Sequence, residues 1–267
     1  MPWGFGRALW LLVKFKPKAV ISFGGYISVP VVFTAKLMRI PILIHEQTAV
    51  WGAANKLMVK MADKVAVSWP NLHRTGKNVL TGNPIRKEIL AAHKSYTKPT
   101  LYISGGNQGS KTIDRAVGPL LPELTKKYVV FHQTQQLNLF HGQNYFSAHW
   151  FNTQRHTQIM SQATLSISRA GANTVAELAW MGVPAILIPL PHAGANEQLK
   201  NAEILAETRL GQILTQKLLT TGSLREAVRQ MEKTENWEEE RINAKKLIRI
   251  DAAYKIAEIA IKLACEE

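Results

Sequence analysis

Short apolar runs alternate with helical patterns along the chain, and many of these runs end in a glycine or polar turn. The runs occupy residues 18–22, 41–45, 64–68, 78–81, 100–104, 128–133, 165–168 and 185–188. Their length and enrichment in Val and Ile indicate buried strands, whereas the segments between them have helical periodicity. Strands separated by helices pair in parallel, so the sequence predicts an α/β fold built on parallel sheets.

A polar stretch without clear periodicity, at residues 91–99, separates the first four runs from the last four. We therefore predict two Rossmann-like domains facing each other across a cleft, at residues 1–92 and 93–267. The pattern over Glu238–Cys265 predicts a long final helix in the second domain.

Positive charge is concentrated near the N-terminus: residues 1–90 hold 13 Lys and Arg against three acidic residues, and the whole chain carries +14. Such a field attracts nucleic acid, anionic lipid or phosphorylated substrates, and charge alone does not choose among them.

The single cysteine, Cys265, excludes a disulfide framework and favours a reducing cytoplasm. No segment has the ~20 apolar residues of a membrane-spanning helix.

Parallel α/β sheets bind ligands beyond the carboxyl ends of their strands, which directs attention to the turns there. Gly105–Gly109 follows a predicted strand and opens a helix, where backbone N–H groups favour a phosphate. Gly171 also opens a helix, and Glu177 follows within two turns, where a carboxylate can accept both ribose hydroxyls. Taken singly, the first is also compatible with an ordinary tight turn, and Glu177 with a residue that complements a helix N-terminus.

Further polar turns occur in both halves. Residues 189–198 offer amide and carboxylate groups suited to sugar hydroxyls, or they form an ordinary solvated loop. The first half contributes Gly24-Gly25-Tyr26, His45-Glu46-Gln47, Asn55 and Gly82–Arg86. A single histidine at a strand end is more often structural, so His45 and Glu46 are weak catalytic candidates.

Metal and nucleotide-hydrolysis motifs are missing from the sequence. The three aspartates lie far apart, so there is no Asp-x-Asp motif, and neither a zinc spacing nor a P-loop occurs. A sugar transferase with this sequence would stabilise a diphosphate leaving group with backbone N–H groups and arginine. We accordingly expect neither a metal nor a cofactor.

Taken in order, the motifs resemble those of the MurG family of peptidoglycan glycosyltransferases. The matching residues are Gly24–Ser28, His45–Gln47, Asn55-Lys56, Gly82–Arg86, Gly105–Gly109, Arg169–Ala172, Glu177, Gln198 and Asn201-Ala202. The resemblance implies a GT-B fold and an inverting hexosyltransferase. It implies transfer of N-acetylglucosamine from UDP-N-acetylglucosamine to undecaprenyl-diphosphate-muramoyl-pentapeptide, converting lipid I to lipid II.

The resemblance also implies a role for each matching residue. Glu177 would hold the ribose, Gln198 the sugar hydroxyls, and the backbone near Asn152 the uracil, while Arg86 would reach the donor from the other domain. The diphosphate would lie on Gly105, Gly106, Asn107, Gln108 and Gly109, and Ala172, Asn173 and Thr174 would line the nucleotide site. Thr48, Asn55, Gly171 and Val175 complete the implied substrate-binding set.

The sequence departs from the family at three places. Asn107 stands where the family usually has Ser, and Thr48 where it usually has Asn. The family's Gly-Gly-Thr-Gly-Gly-His loop, whose His is a candidate general base, has no match, so the catalytic residue is unassigned. This predicts an incomplete N-terminal domain, either because the sequence is a fragment or because another chain supplies the missing part.

The resemblance gives the basic, aromatic N-terminus a meaning. An apolar patch ringed by Lys and Arg implies a peripheral protein on the cytoplasmic side of the cell membrane, bound to an anionic surface. Here it would comprise Trp3, Phe5, Trp10, Arg7, Lys14, Lys56 and Lys60. Two alternatives remain open: a GT-B transferase that forms a glycolipid on a different lipid acceptor, and a non-catalytic basic binding module. Signatures of RNA- or DNA-binding domains do not occur, so we expect no nucleic-acid partner.

Overall fold

A computed structural model describes residues 2–72, 76–95, 97–191, 194–234 and 236–265. The chain forms two compact units. The first contains residues 1–84 and 249–267, and the second contains residues 85–248.

The first unit is built on a four-stranded parallel sheet of order β1-β2-β3-β4. Its N-terminal elements are α1 (Pro2–Phe15), β1 (Val20–Ser22), α2 (Ser28–Leu37), β2 (Ile42–Glu46), α3 (Ala53–Met58), β3 (Lys64–Val67) and β4 (Asn78–Leu80), with 3₁₀ turns at Val59–Met61 and Pro70–Leu72. Because side chains alternate along a strand, Ile42 and Ile44 pack in the cluster that includes Val32 of α2.

The second unit holds a six-stranded parallel sheet of order β10-β9-β8-β5-β6-β7. Its helices are α4 (Lys87–Ala91), α5 (Lys111–Val117), α6 (Leu121–Lys127), α7 (Thr153–Gln162), α8 (Ala172–Met181), α9 (Glu197–Glu207), α10 (Thr221–Glu232) and α11 (Glu238–Lys246). Its strands are β5 (Thr100–Ser104), β6 (Val129–Gln133), β7 (Tyr145–Ala148), β8 (Leu165–Ser168), β9 (Ala185–Leu187) and β10 (Gly211–Ile213), with 3₁₀ turns at Gly118–Leu120 and Gly194–Asn196.

Helices cover both faces of this second sheet. Leu101 and Ile103 of β5 pack in a cluster with residues of α5, α6 and α10. Tyr102, on the opposite face of the same strand, packs in a cluster with residues of α7, α8 and α9. The predicted α/β class with parallel sheets is therefore confirmed.

The predicted long final helix is wrong, because the chain breaks after α11 and a separate helix, α12 (Ala252–Cys265), returns to the first unit. Ala244 of α11 is buried in the second unit's core, whereas Ile256 and Ala260 of α12 pack against Leu43 of β2. Each helix thus has its own apolar partner.

The unit boundary also differs from the predicted one, lying after Pro84 and not after residue 92. The physical reason is α4, whose Ile89 is fully buried in the second unit's core.

Among the described residues, the helices are too short or too polar to cross a membrane.

Candidate functional site

The strand order of the second unit reverses between β5 and β8. Strands β5, β6 and β7 follow one another on one side of this point, and β8, β9 and β10 on the other. In open parallel sheets a crevice forms at such a switch point, beyond the carboxyl ends of the two central strands. The turns that follow β5 and β8 are the two glycine turns predicted from the sequence to bind a ligand.

The turn after β5 can form only because of its glycines. Gly106 and Gly109 have φ values of +77° and +71°, in the left-handed region that other residues rarely adopt. A Cβ on Gly105 would lie 2.2 Å from the backbone nitrogen of Ser110. Asn107 and Gln108 are exposed at the tip of this turn, and Ser110 caps α5 by accepting the N–H of Ile113 at 3.4 Å.

The C-terminal end of β6 braces the glycine turn and α5. The Gln133 side chain donates to the carbonyl of Gly106 at 3.3 Å. Buried Asp114 of α5 accepts from His132 Nε2 at 3.1 Å and from the Thr134 hydroxyl at 2.8 Å. Sequence reasoning missed this network, because His132 and Asp114 lie 18 residues apart and only the fold brings them together.

Arg169 joins the two turns of the switch point. From Nη2 the buried guanidinium donates to Ser110 Oγ and to Gln216 Oε1, both at 2.7 Å. From Nη1 it donates to the carbonyls of Ile188 at 3.1 Å and Pro189 at 3.3 Å. Burial lowers the pKa of Arg169. One side chain thereby holds the segments after β5, β8 and β9 together.

The turn after β8 opens α8 with an uncapped N-terminus. Gly171 is extended, and no side-chain hydrogen bond caps the helix. Ala172 and Thr174 are half-buried and Asn173 is exposed, so the first turn is accessible. Val175 differs from the prediction: its side chain is fully buried in the core and its N–H donates to Gly171 O at 3.0 Å, so it does not line the site.

Glu177 lies farther along α8 and is buried between two basic residues. His156 Nε2 of α7 lies 2.9 Å from Oε2, and Arg86 Nε lies 3.5 Å from Oε1. The ring of Tyr102 packs edge-on against His156 at 5.5 Å, and burial raises the pKa of Tyr102 to about 12. Arg86 belongs to the second unit, so the expectation that it comes from the other domain is wrong: the unit begins at Ile85, before α4.

Gln198 and Asn152 both have defined partners in the second unit. Gln198 Oε1 accepts the N–H groups of Ala170 at 3.3 Å and Leu190 at 3.0 Å. Because Oε1 is engaged, Nε2 is the end of this amide that a ligand can use. Asn152 is exposed and caps α7 by accepting the N–H of Arg155 at 2.8 Å. Residues 192 and 193 of the predicted polar loop lie outside the described residues.

Glu46 in the first unit organises the turn that follows β2. Its Oε1 accepts the Thr48 N–H at 3.1 Å and the Thr48 hydroxyl at 2.9 Å. Its Oε2 accepts the Gly52 N–H and the Asn55 amide, both at 2.9 Å. Four hydrogen bonds hold this buried carboxylate in place, which favours a structural role for Glu46.

His45 is fully buried beside this turn. Its Nε2 lies 3.2 Å from the carbonyl of Gly82 and 3.3 Å from Ser68 Oγ. Because a carbonyl only accepts, Nε2 carries the proton. Burial lowers the pKa of His45, because it disfavours the charged ring. Among the described residues, no group of three or more His, Cys, Asp or Glu is arranged to hold a metal ion.

Comparison with known proteins gives matches over most of the chain. Residues 3–67 match the glycosyltransferase family 28 N-terminal domain, and residues 100–258 match the glycosyltransferase family 28 C-terminal domain. A relative from Desulfotalea psychrophila is 35% identical, covering 96% of this chain and 74% of its own length. It is named UDP-N-acetylglucosamine--N-acetylmuramyl-(pentapeptide) pyrophosphoryl-undecaprenol N-acetylglucosamine transferase.

A relative from Listeria monocytogenes carries the same name and is 34% identical, covering 97% of this chain and 78% of its own length. Among solved structures, MurG from Acinetobacter baumannii superposes with a TM-score of 0.77 at 27% identity, covering 97% of this chain and 77% of that one. The predicted GT-B fold class is confirmed by this similarity.

Proposed function

Because the chain belongs to glycosyltransferase family 28, we propose that it transfers N-acetylglucosamine from UDP-N-acetylglucosamine to undecaprenyl-diphosphate-muramoyl-pentapeptide. Its relatives at 34–35% identity are named for this reaction. The observation that carries the proposal for this chain is the hydrogen bond from Arg169 to Ser110, at 2.7 Å. It holds the glycine turn after β5 next to the uncapped start of α8, where a nucleotide diphosphate finds backbone donors.

The donor's diphosphate lies on the glycine turn in this proposal. Backbone N–H groups of the glycine turn and of the first turn of α8 supply hydrogen-bond donors and the positive end of a helix dipole. The N–H groups of Gly106 and Gly109 do not belong to this set, because they donate to Ser104 Oγ and to the carbonyl of Gly106. Asn107 and Gln108 are exposed at the tip, so their side chains can reach the same oxygens. These groups stabilise the negative charge that develops on UDP as it leaves, and the backbone donors need no reorganisation during the reaction.

The nucleoside and the sugar occupy the neighbouring positions. Glu177 accepts the ribose hydroxyls, the backbone near Asn152 contacts the uracil, and Gln198 Nε2 donates to a sugar hydroxyl. Arg86 is 38% exposed at its side chain and close enough to Glu177 to reach the donor. The proposal assigns acceptor binding to the first unit, where Glu46 accepts from Thr48 in the turn after β2 and from Asn55 of α3.

A membrane-docking surface on α1 supports a lipid-linked acceptor. Trp3 and Phe15 are 92% and 68% exposed, which is unusual for large apolar side chains. Arg7 and Lys14 lie over the ring of Trp10, at 4.6 and 4.7 Å from its centroid. Aromatic rings favour the membrane interface and basic residues the anionic headgroups. These side chains support docking on a membrane surface, and we propose the cytoplasmic face because the resemblance to the family implies it.

Titration of UDP-N-acetylglucosamine into the chain and its Glu177→Ala variant tests the donor site. We expect the variant to stay folded and to lose about ten-fold or more in affinity, because hydrogen bonds to a charged group are worth ~1.5–3 kcal/mol. Glu207→Ala, at an exposed position of α9, is the matched control. Unchanged affinity in Glu177→Ala removes the ribose contact, and absence of binding by the wild-type chain at millimolar donor rejects the function.

The acceptor is tested by offering lipid I and diacylglycerol separately with labelled UDP-N-acetylglucosamine. Label transferred to lipid I supports the proposed reaction. Label transferred only to diacylglycerol favours a glycolipid-forming transferase. Donor binding without transfer to either lipid contradicts turnover by this chain.

A further inference from the structure

The carboxylate of Glu177 contacts two side chains, His156 and Arg86, and these two contacts differ in length and in exposure to solvent. His156 Nε2 lies 2.9 Å from Oε2, and the His156 side chain is only 11% exposed. Arg86 Nε lies 3.5 Å from Oε1, a long contact, and its side chain is 38% exposed. The histidine contact is therefore short and shielded, whereas the arginine contact is loose and open to solvent.

The His156 ring has little freedom to move. It lies on α7 and packs edge-on against Tyr102 of β5, whose ring belongs to the hydrophobic core. A carboxylate only accepts hydrogen bonds, so Nε2 carries a proton and donates to Glu177. Because α7 and β5 are both fixed by core packing, this hydrogen bond sets the direction of the carboxylate.

We propose that His156 is the positioning residue that fixes Glu177 for recognition of the ribose. Arg86 is the partner of the other carboxylate oxygen, and the ribose hydroxyls displace it. Each carboxylate oxygen accepts two hydrogen bonds, so Oε1 can receive ribose hydroxyls while Oε2 stays on His156. Arg86 then leaves Oε1 and pairs with the diphosphate, for which a guanidinium fork is well suited. The inference rests on the proposed function, since it takes Glu177 as the ribose-binding residue.

Replacing His156 by Gln or Asn gives a pair of variants that differ by one methylene. Glutamine places an amide N–H near the position of Nε2, whereas asparagine is too short to reach Glu177. Binding of UDP and of 2′,3′-dideoxy-UDP is measured by isothermal titration calorimetry on the full chain, with thermal melting to verify folding. The ratio of the two affinities reports ribose recognition.

We expect His156→Gln to bind UDP within about three-fold of wild type, and His156→Asn to lose about ten-fold. Affinity for dideoxy-UDP should barely change in either variant, so the ribose preference shrinks only in His156→Asn. A merely structural role would weaken both ligands equally. Equal ribose preference in the Gln and Asn variants overturns the role of His156.

Two further variants separate the possible failures. If Glu177→Ala loses the ribose preference and His156→Asn keeps it, only the role of His156 fails and the proposed donor site stands. If Glu177→Ala keeps the preference, the ribose contact of the proposed function fails too. Arg86→Gln leaves His156 untouched and should weaken UDP binding while keeping the ribose preference; loss of that preference would make Arg86 the anchor and overturn the division of roles.

Discussion

An alanine at Gly105 should disable the donor site by displacing backbone, without removing a side chain that contacts the ligand. Its Cβ would lie 2.2 Å from Ser110 N and 2.4 Å from the carbonyl carbon of Gly109, whereas real Cβ atoms keep at least 3.0 Å. The neighbours are backbone atoms that cannot rotate away. The two sides of the turn must therefore separate by about 0.8 Å or more.

That displacement is large compared with the tolerance of a hydrogen bond. An N–H donor at ~2.9 Å from a phosphate oxygen moves beyond bonding range when it shifts by ~0.8 Å. Each such bond to a charged group contributes ~1.5–3 kcal/mol, so the loss of one lowers affinity by about 10- to 100-fold. Titration of UDP-N-acetylglucosamine into Gly105→Ala should show this loss while circular dichroism shows a folded chain.

Gly222→Ala is the matched control outside the donor site. Gly222 lies in α10, and a Cβ added there meets only Thr220 Oγ1 at 3.8 Å, an ordinary contact. We expect unchanged affinity and an equal or higher melting temperature, because alanine favours a helix more than glycine does. Equal affinities in Gly105→Ala and wild type, or equal losses in both variants, would refute the steric reasoning.

Two further predictions each concern a single lysine, one on α1 and one in the second unit. Lys14→Gln should weaken binding to anionic vesicles by about five-fold, because a basic residue near such a surface is worth ~1 kcal/mol. The control Lys217→Gln, at an exposed position, should leave vesicle binding unchanged. Equal binding of both variants in a flotation assay contradicts the docking surface on α1. Burial, and then repulsion by Arg241 and Lys245, lowers the pKa of Lys94 to about 7. Between pH 7 and about 10.4 the unfolded chain therefore binds more protons than the folded chain, so the free energy of unfolding rises with pH in this range. Urea unfolding at pH 7 and pH 9.5 should show this rise in wild type and not in Lys94→Met, and identical pH dependence of the two chains would rule it out.

The elements that sequence reasoning located best are those with strong local signals. The predicted bounds of β5 and β8 match the structure, because each of these short runs is followed by a glycine turn. The helix expected after Gly105–Gly109 is two helices in the structure, because Gly118 and Pro119 fall in a 3₁₀ turn between α5 and α6. Local composition thus predicted the element type better than its continuity.

Helix α7 shows why part of the site was missed. Its sequence is TQRHTQIMSQ, which is too polar to give a helical apolar stripe. The helix is held by the Asn152 cap and by burial of Ile159 and Met160 in the core, which only the tertiary structure provides. His156 was consequently absent from the predicted site, although it contacts Glu177.

Arg169 belongs to a motif that resembles the family's, but its side chain binds protein groups and is not available to bind a phosphate. The sequence led us to expect arginine beside the diphosphate, and Arg169 lies in the motif that resembles the family's. Its four terminal N–H groups are occupied by Ser110, Gln216 and the carbonyls of Ile188 and Pro189. A guanidinium with no donor left at its tip cannot bind a phosphate in this geometry. In the proposed donor site Arg169 therefore acts indirectly, by holding the two turns in place, and the proposal assigns the contact with the diphosphate to Arg86.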